Sequence, residues 1–431
     1  MSQIPLDVSF SFPDQDIDKV LEDADDAAFL DLVFKLANFA ANNPEFRGKK
    51  NRLAQLDAAV LRRALRVSQS QPGLTGRTVN PELVIIATEV YPTGGHTRVI
   101  NSIVQSFASH VVLTDTFGHI AAGALSIAGL ISDSSRSVTV LPAGSLPTKT
   151  AQLIYILETL SPSAVVLVGH HSDVLSIVAG ACFEGGQRTV FLHHCDYNPG
   201  LGATLNFPVH FDFTQEMVDS CASIGLQTRR LPLVIDKRHP RVSAPNSPFR
   251  VVTAGGGVKY RGMVNNVTYA DLVTGLLKSP LVSELHHVGD LVDSDLELIF
   301  TTLAQNGIDT LRFRPLGLVP DLEQAFADGG YGLCLSSFPY GGGLTTSTAA
   351  SLGLPVIFAN QDLFGMEVCR PWSVYPNADL AWAAPSDLPA IVERVTGNWI
   401  GFSDEAFRHY CENSTPEAFE NVFRSALATL G

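Results

Sequence analysis

The chain has 431 residues, with 43 acidic against 29 basic side chains and a formal charge of −14 at neutral pH. That balance excludes a nucleic-acid or anionic-membrane binder, because either partner requires a cationic face. With 45% hydrophobic and 17% charged residues the chain can bury large cores, and its length predicts two or three domains.

The first residues, MSQIPLDVSFSFPDQDIDKV, carry acid where a secretion signal needs base, and no apolar stretch reaches the length of a membrane span. Six cysteines (Cys182, Cys195, Cys221, Cys334, Cys369 and Cys411) are scattered singly without a CxxC pair. Reduced thiols, a cytoplasmic location and no transmembrane segment are expected.

Residues 1–75 are predicted as a helical segment. An acidic run (Asp14, Asp16, Asp18, Glu22, Asp23, Asp25, Asp26) leads into Phe29, Leu30, Val33, Phe34, Ala37 and Phe39 at helical spacing. A second helix is predicted over 52–67 with Arg52, Arg62, Arg63 and Arg66. These arginines read as a solvated face complementing the acidic run, with a protein-partner surface as the alternative. A linker of Ser, Gly, Pro and Thr follows over 68–81.

From Glu82 short apolar runs alternate with helical segments: 83–88, 110–115, 138–141, 164–169, 189–194 and 209–214. Runs this apolar suit strands covered on both faces of a parallel sheet. The proline-rich stretch DKRHPRVSAPNSP, 236–248, breaks the pattern. Strand-like runs then restart over 249–257, 285–289, 311–317, 331–337 and 354–360, and helices without a further strand close the sequence. The predicted class is α/β, with Rossmann-like domains over 80–240 and 247–400, facing a cleft, and terminal helices over 401–431 that pack back.

Three strand-end segments carry the chemistry. In FPYGGGLTTSTAASLGLP, the glycines Gly341, Gly342 and Gly343 precede a helix start with Thr345, Thr346 and Ser347, a pattern suited to an anion. A plain glycine turn with an N-capping Thr345 is the alternative. In TAGGGVKYRG, Gly255 and Gly256 lead to Lys259 and Arg261, and a lysine there neutralises a diphosphate leaving group. In TEVYPTGGHTRV, Gly95 and His96 open the helix after the first strand, where an imidazole can take an acceptor's proton.

Two further clusters, GHHSD (His170, His171, Asp173) and HHCDYNPGLG (His193, His194, Asp196, Asn198), also end strands. Their residue types can ligate Zn²⁺ or Fe²⁺, but adjacent strand residues face opposite sides, so one histidine of each pair enters a given site. Without HExxH or CxxC spacing, acceptor or sugar binding is the favoured reading and a metal hydrolase on His170, His171, His193 and His194 the alternative.

The order of these segments resembles the two-domain glycosyltransferase superfamily called GT-B. Its GGHTR, GGGVKY and FPYGGGLTTST segments are most similar to the branch of O-linked N-acetylglucosamine transferases and bacterial cytoplasmic N-linked protein glucosyltransferases. The resemblance implies a hexosyltransferase whose acceptor-side histidine is His96 and whose donor diphosphate meets Lys259, Gly342, Gly343, Thr345 and Thr346. It implies a nucleotide sugar, a UDP-sugar first, as co-substrate, with no cofactor and no obligatory metal. Thr348 stands where many relatives carry an acid for the donor ribose. Retaining relatives place two glutamates eight apart where this chain has Tyr340 and Thr348, so inversion is expected. The acceptor is a protein, a glycan or a small molecule. Other readings are a non-catalytic GT-B partner subunit, with the helical leader as its docking surface, and a nucleotide-sugar epimerase.

Overall fold

The structure is a computed structural model that describes residues 17–43, 45–46, 52–69, 81–92, 95–131, 138–194, 198–236, 238–360 and 377–430. Asp196, Cys195 and Cys369 lie outside them. Two compact units divide the chain, Met1–Leu231 with Glu420–Gly431, and Pro232–Phe419.

In the first unit, helices α1 (Ile17–Asp23), α2 (Asp26–Asn42) and α3 (Ala54–Gln69) precede the sheet. There follow β1 (Leu83–Ala87), α4 (Gly95–Ser106), β2 (Ser109–Leu113), β3 (Val138–Val140), α5 (Leu146–Leu160) and β4 (Ala164–Val168). The unit continues through α6 (Val174–Cys182), β5 (Thr189–Leu192), β6 (Val209–Asp212), α7 (Gln215–Ala222) and β7 (Thr228–Arg230). The strand order is β3-β2-β1-β4-β5-β6-β7, parallel throughout. Every residue of β1 and β4 is buried, as sequences LVIIA and AVVLV require when helices cover both sheet faces.

The leader helices share this unit's core: Leu21, Phe29, Val33, Leu56 and Val60 cluster with Val84, Val165 and Leu175. Asp57 of α3 accepts hydrogen bonds from the Gly202 and Thr204 amides (2.6 and 2.9 Å) and the Thr204 hydroxyl (2.7 Å), fastening the helix to the loop after β5. Arg63 pairs with Asp26 at 2.8 Å, and Arg62 lies 3.9 Å from both Asp18 and Glu22. Arg62 and Arg63 thus complement the acidic run, whereas Arg52, expected on the same solvated face, is buried and donates to Ser220 at 2.6 Å.

The second unit holds β8 (Phe249–Ala254), α8 (Tyr269–Leu277), β9 (Val282–Val288), α9 (Asp293–Gln305), β10 (Phe313–Gly317) and α10 (Leu322–Asp328). After them come β11 (Tyr331–Leu335), α11 (Gly343–Ser351), β12 (Val356–Ala359), β13 (Ala381–Trp382), α12 (Leu388–Gly397), α13 (Trp399–Asn413) and α14 (Pro416–Leu427). The order β10-β9-β8-β11-β12-β13 is again parallel throughout.

The strands β7 and β13 have no counterpart among the apolar runs of the sequence, because one is Thr-Arg-Arg on a sheet edge and the other spans only two residues. The division between units falls at 231/232, ahead of the prolines. Helix α13 stays in the second unit, where the Trp399 indole donates to the Gly332 carbonyl (2.7 Å). The return to the first unit begins inside α14 at Glu420. Phe423 stacks on Phe211 and tilts against Phe107, with ring centroids 5.3 and 5.0 Å apart. Among the described residues no helix is long and apolar enough to cross a membrane.

Both sheets reverse direction at one place. After β1 the chain builds outward to β3 and then crosses to β4; after β8 it builds outward to β10 and crosses to β11. Loops leaving β1 and β4, or β8 and β11, diverge there, and such switch points are where open α/β sheets bind ligands.

Candidate functional site

In the first unit the switch point gathers histidines. His96, in the first turn of α4, stacks on His170, which follows β4, with centroids 5.0 Å apart and planes 9° from parallel. His194, two residues after β5, meets His96 edge-on at 4.6 Å, and the Tyr91 ring meets His170 edge-on at 5.6 Å. His96 is 5% exposed. Burial first, then the neighbouring His170, pushes its imidazole down to about 3. Burial also lowers His170, and it lowers His194 well below the usual range together with the adjoining histidines. The rings are therefore neutral at pH 7, with lone pairs rather than charges to offer.

A buried carboxylate organises the strand ends beneath them. Asp173 caps α6 through the Leu175 and Ser176 amides and accepts from the hydroxyls of Thr88 (2.7 Å), Thr114 (2.8 Å) and Thr116 (2.8 Å). The Thr88 hydroxyl in turn accepts from the His170 amide at 2.8 Å, so the loops after β1, β2 and β4 are tied to one group. His171 sits 3.0 Å from the Asn198 amide nitrogen, and Gly95 begins α4 beside His96.

His193 does not join this cluster. The alternation along the strand turns it away from His194 to the other face, where its Nδ1 lies 2.9 Å from Asp212. The sequence places it with His194 in an acceptor or sugar pocket; the two side chains instead lie on opposite faces of the sheet. Sequence reasoning also missed Glu89, which is fully buried and accepts from the Tyr91 hydroxyl (2.7 Å) and from His119 (3.0 Å, at Nδ1). The only sequence signal for it is a carboxylate two residues after a fully apolar strand.

In the second unit the loops after β8 and β11 interlock. Lys259 lies in a single 3-10 turn, Gly257–Tyr260, and its ammonium donates to the Gly341 carbonyl at 3.3 Å. Its own carbonyl accepts from the Tyr340 amide at 3.3 Å, while the Thr345 hydroxyl donates to the Ala254 carbonyl at 3.2 Å. The approach demands glycine: a Cβ on Gly257 would sit 2.4 Å from the Asp290 carbonyl oxygen. One on Gly289 (φ +133°) would sit 2.0 Å from that of Gly255.

Helix α11 starts beside Lys259. Thr346 closes its first turn onto the Gly342 carbonyl, so the amides of Gly343, Leu344 and Thr345 have no acceptor among the described residues. An ammonium and the positive end of a helix dipole thus share one spot, which favours an anion. The hydroxyls do not all point there. Thr346 and Thr348 are 2% and 1% exposed with unpartnered oxygens, and Ser347 meets Ser414 at 3.3 Å. Arg261 pairs with Asp295 of α9 at 3.3 Å, while Gly255 and Gly256 supply the backbone between β8 and the lysine turn.

The sequence matches no protein-family model and no curated protein. Solved structures do resemble it. Anabaena HepE in complex with UDP and glucose aligns over 81% of this chain and 99% of its own, with a TM-score of 0.55 at 14% identity. The fold is GT-B. A Thermobaculum terrenum O-GlcNAc transferase mutant aligns over 94% of this chain and 77% of its own (TM-score 0.55, 13% identity). Sucrose-phosphate synthase from Thermosynechococcus elongatus aligns over 81% and 100% (TM-score 0.54, 13% identity). In GT-B terms the histidine cluster and the Lys259 loop occupy equivalent positions, one at the switch point of each sheet.

Proposed function

We propose that this protein is a glycosyltransferase that moves a sugar from a nucleotide sugar, a UDP-sugar, to a protein or glycan acceptor, with inversion and without an obligatory metal. The observation that carries the reading is Lys259, whose ammonium stands at the start of α11 beside three amides that have no acceptor among the described residues, at the second sheet's switch point. A diphosphate leaving group gains negative charge as the glycosidic bond breaks, and fixed donors of this kind stabilise that charge without reorganising. Relatives in fold crystallised with UDP, or with UDP and glucose, agree with this donor class.

The acceptor side falls to the first unit. The neutral His96 takes the proton of the attacking hydroxyl or amide, since its uncharged ring keeps a lone pair at pH 7. His170 and His194 hold the His96 ring, and Asn198 with His171 lines the neighbouring loop. The amides of Gly343, Leu344 and Thr345 bind the diphosphate, and Gly342 at the N-cap lets it approach them.

The test is release of UDP from UDP-glucose and UDP-N-acetylglucosamine, in buffer without added divalent metal, with and without a panel of peptides and glycans. The proposal expects release that depends on the acceptor and that falls at least about a hundredfold in His96→Ala. A protein that binds UDP yet never releases it in an acceptor-dependent way would instead be a non-catalytic GT-B partner.

A further inference from the structure

His193, displaced from the histidine cluster, belongs to a second group of side chains. Its partners are His210 and Asp212, two residues apart on β6 and therefore on one face of the strand, and Cys221 on α7. All four are buried, and one ligand atom from each lies within 4.8 Å of the others. Nothing in the glycosyl transfer proposed above uses them.

We propose that these four residues hold one structural Zn²⁺ ion, through His193 Nδ1, His210 Nε2, Asp212 Oδ1 and Cys221 Sγ. The separations are 2.9 Å (His193 to Asp212), 3.5 Å (His210 to Asp212), 3.7 Å (Cys221 to Asp212) and 3.9 Å (Cys221 to His193). Tetrahedral zinc bonds of about 2.0–2.3 Å place neighbouring ligand atoms roughly 3.3–3.6 Å apart, so small side-chain shifts complete the polyhedron. His210 supplies an independent sign. It is fully buried, and its Nε2 is turned toward Asp212 Oδ1 at 3.5 Å, longer than an ordinary hydrogen bond and close to the spacing of two zinc ligands.

The donor set selects the ion. Two imidazoles, a thiolate and a carboxylate suit borderline-soft zinc over the oxygen-seeking Mg²⁺ or Ca²⁺. Thiolate and carboxylate together cancel the ion's charge, which a buried site needs. The Thr228 hydroxyl donates to Asp212 Oδ2, and Arg52 reaches Cys221 at 4.0 Å while donating to Ser220 at 2.6 Å. The outer nitrogens, His193 Nε2 and His210 Nδ1, have no such support, so the direct bonds carry the site. The ion would clamp β6 to α7 and the end of β5. Four closed protein positions leave no room for substrate, which distinguishes it from catalytic zinc.

Metal analysis of the full-length protein, expressed with zinc and dialysed against chelator-free buffer, tests this. About one zinc per chain is expected, falling at least about tenfold in Cys221→Ala and in His210→Ala. Because either variant can fail to fold, Co²⁺ is also titrated into wild-type protein refolded without metal, where a thiolate-to-cobalt charge-transfer band is expected. Wild-type protein that carries no zinc and gives no such band has a metal-free polar network, and the proposal is overturned whether or not UDP binds.

Discussion

The imidazoles of His96 and His170 lie face to face, 5.0 Å between centroids and 9° from parallel, although the residues belong to loops after different strands. Two stacked rings cannot both be protonated without repulsion, and burial already disfavours the charge. His96 is held down at about 3, against 6.5 for an exposed imidazole. Between those values the unfolded chain binds a proton that the native protein refuses, so stability is complete above pH 6.5 and falls as pH drops. The slope is about 1.4 kcal/mol per pH unit for one such group, shared among the coupled rings. Denaturant midpoints at pH 7.5 and 5.5 should separate more in the wild type than in His96→Phe. Equal separations would show that the ring is protonated in the native state.

Asp57 carries the opposite sign. Burial raises its carboxyl from 3.8 to about 6, despite the Gly202 and Thr204 hydrogen bonds that oppose the shift. The native state therefore holds this proton more tightly, and stability from Asp57 falls as pH rises from about 4 to about 6, by roughly 3 kcal/mol. The difference in unfolding free energy between wild type and Asp57→Asn should shift in that direction across the window. Asp57→Ala strands three donors and should cost about 3 kcal/mol or more at pH 7, read from urea denaturation.

Asp173 is the common anchor of three strand ends, so Asp173→Ala should leave the hydroxyls of Thr88, Thr114 and Thr116 without their acceptor. The expected loss is at least about 3 kcal/mol in stability. Because the His170 amide rests on Thr88, transfer activity should also fall while UDP affinity stays within about twofold. A parallel loss of UDP binding would contradict the separation of the two roles.

Much of this was legible in the sequence where backbone chemistry is explicit. Apolar runs such as LVIIA and AVVLV announce strands buried on both faces, and the glycines before Lys259 and Thr345 announce close backbone approach. The alternation rule likewise separates His193 from His194. What stayed hidden depends on long-range pairing. His210 and Asp212 show the two-residue spacing of one strand face, yet only the fold brings Cys221 and His193 to them. The polar strand β7 gives no hydrophobic signal, and Glu89 finds its partner His119 thirty residues away through a loop without periodicity.

The central claim is tested most directly by calorimetric titration of UDP, GDP and ADP into wild-type and Lys259→Ala protein without added divalent metal. The account predicts that UDP binds wild type in preference to the other two and that the substitution weakens it by at least about tenfold, the loss of one charge-assisted contact. Folded wild-type protein that binds no nucleotide, or binds UDP equally well without the lysine, would contradict it.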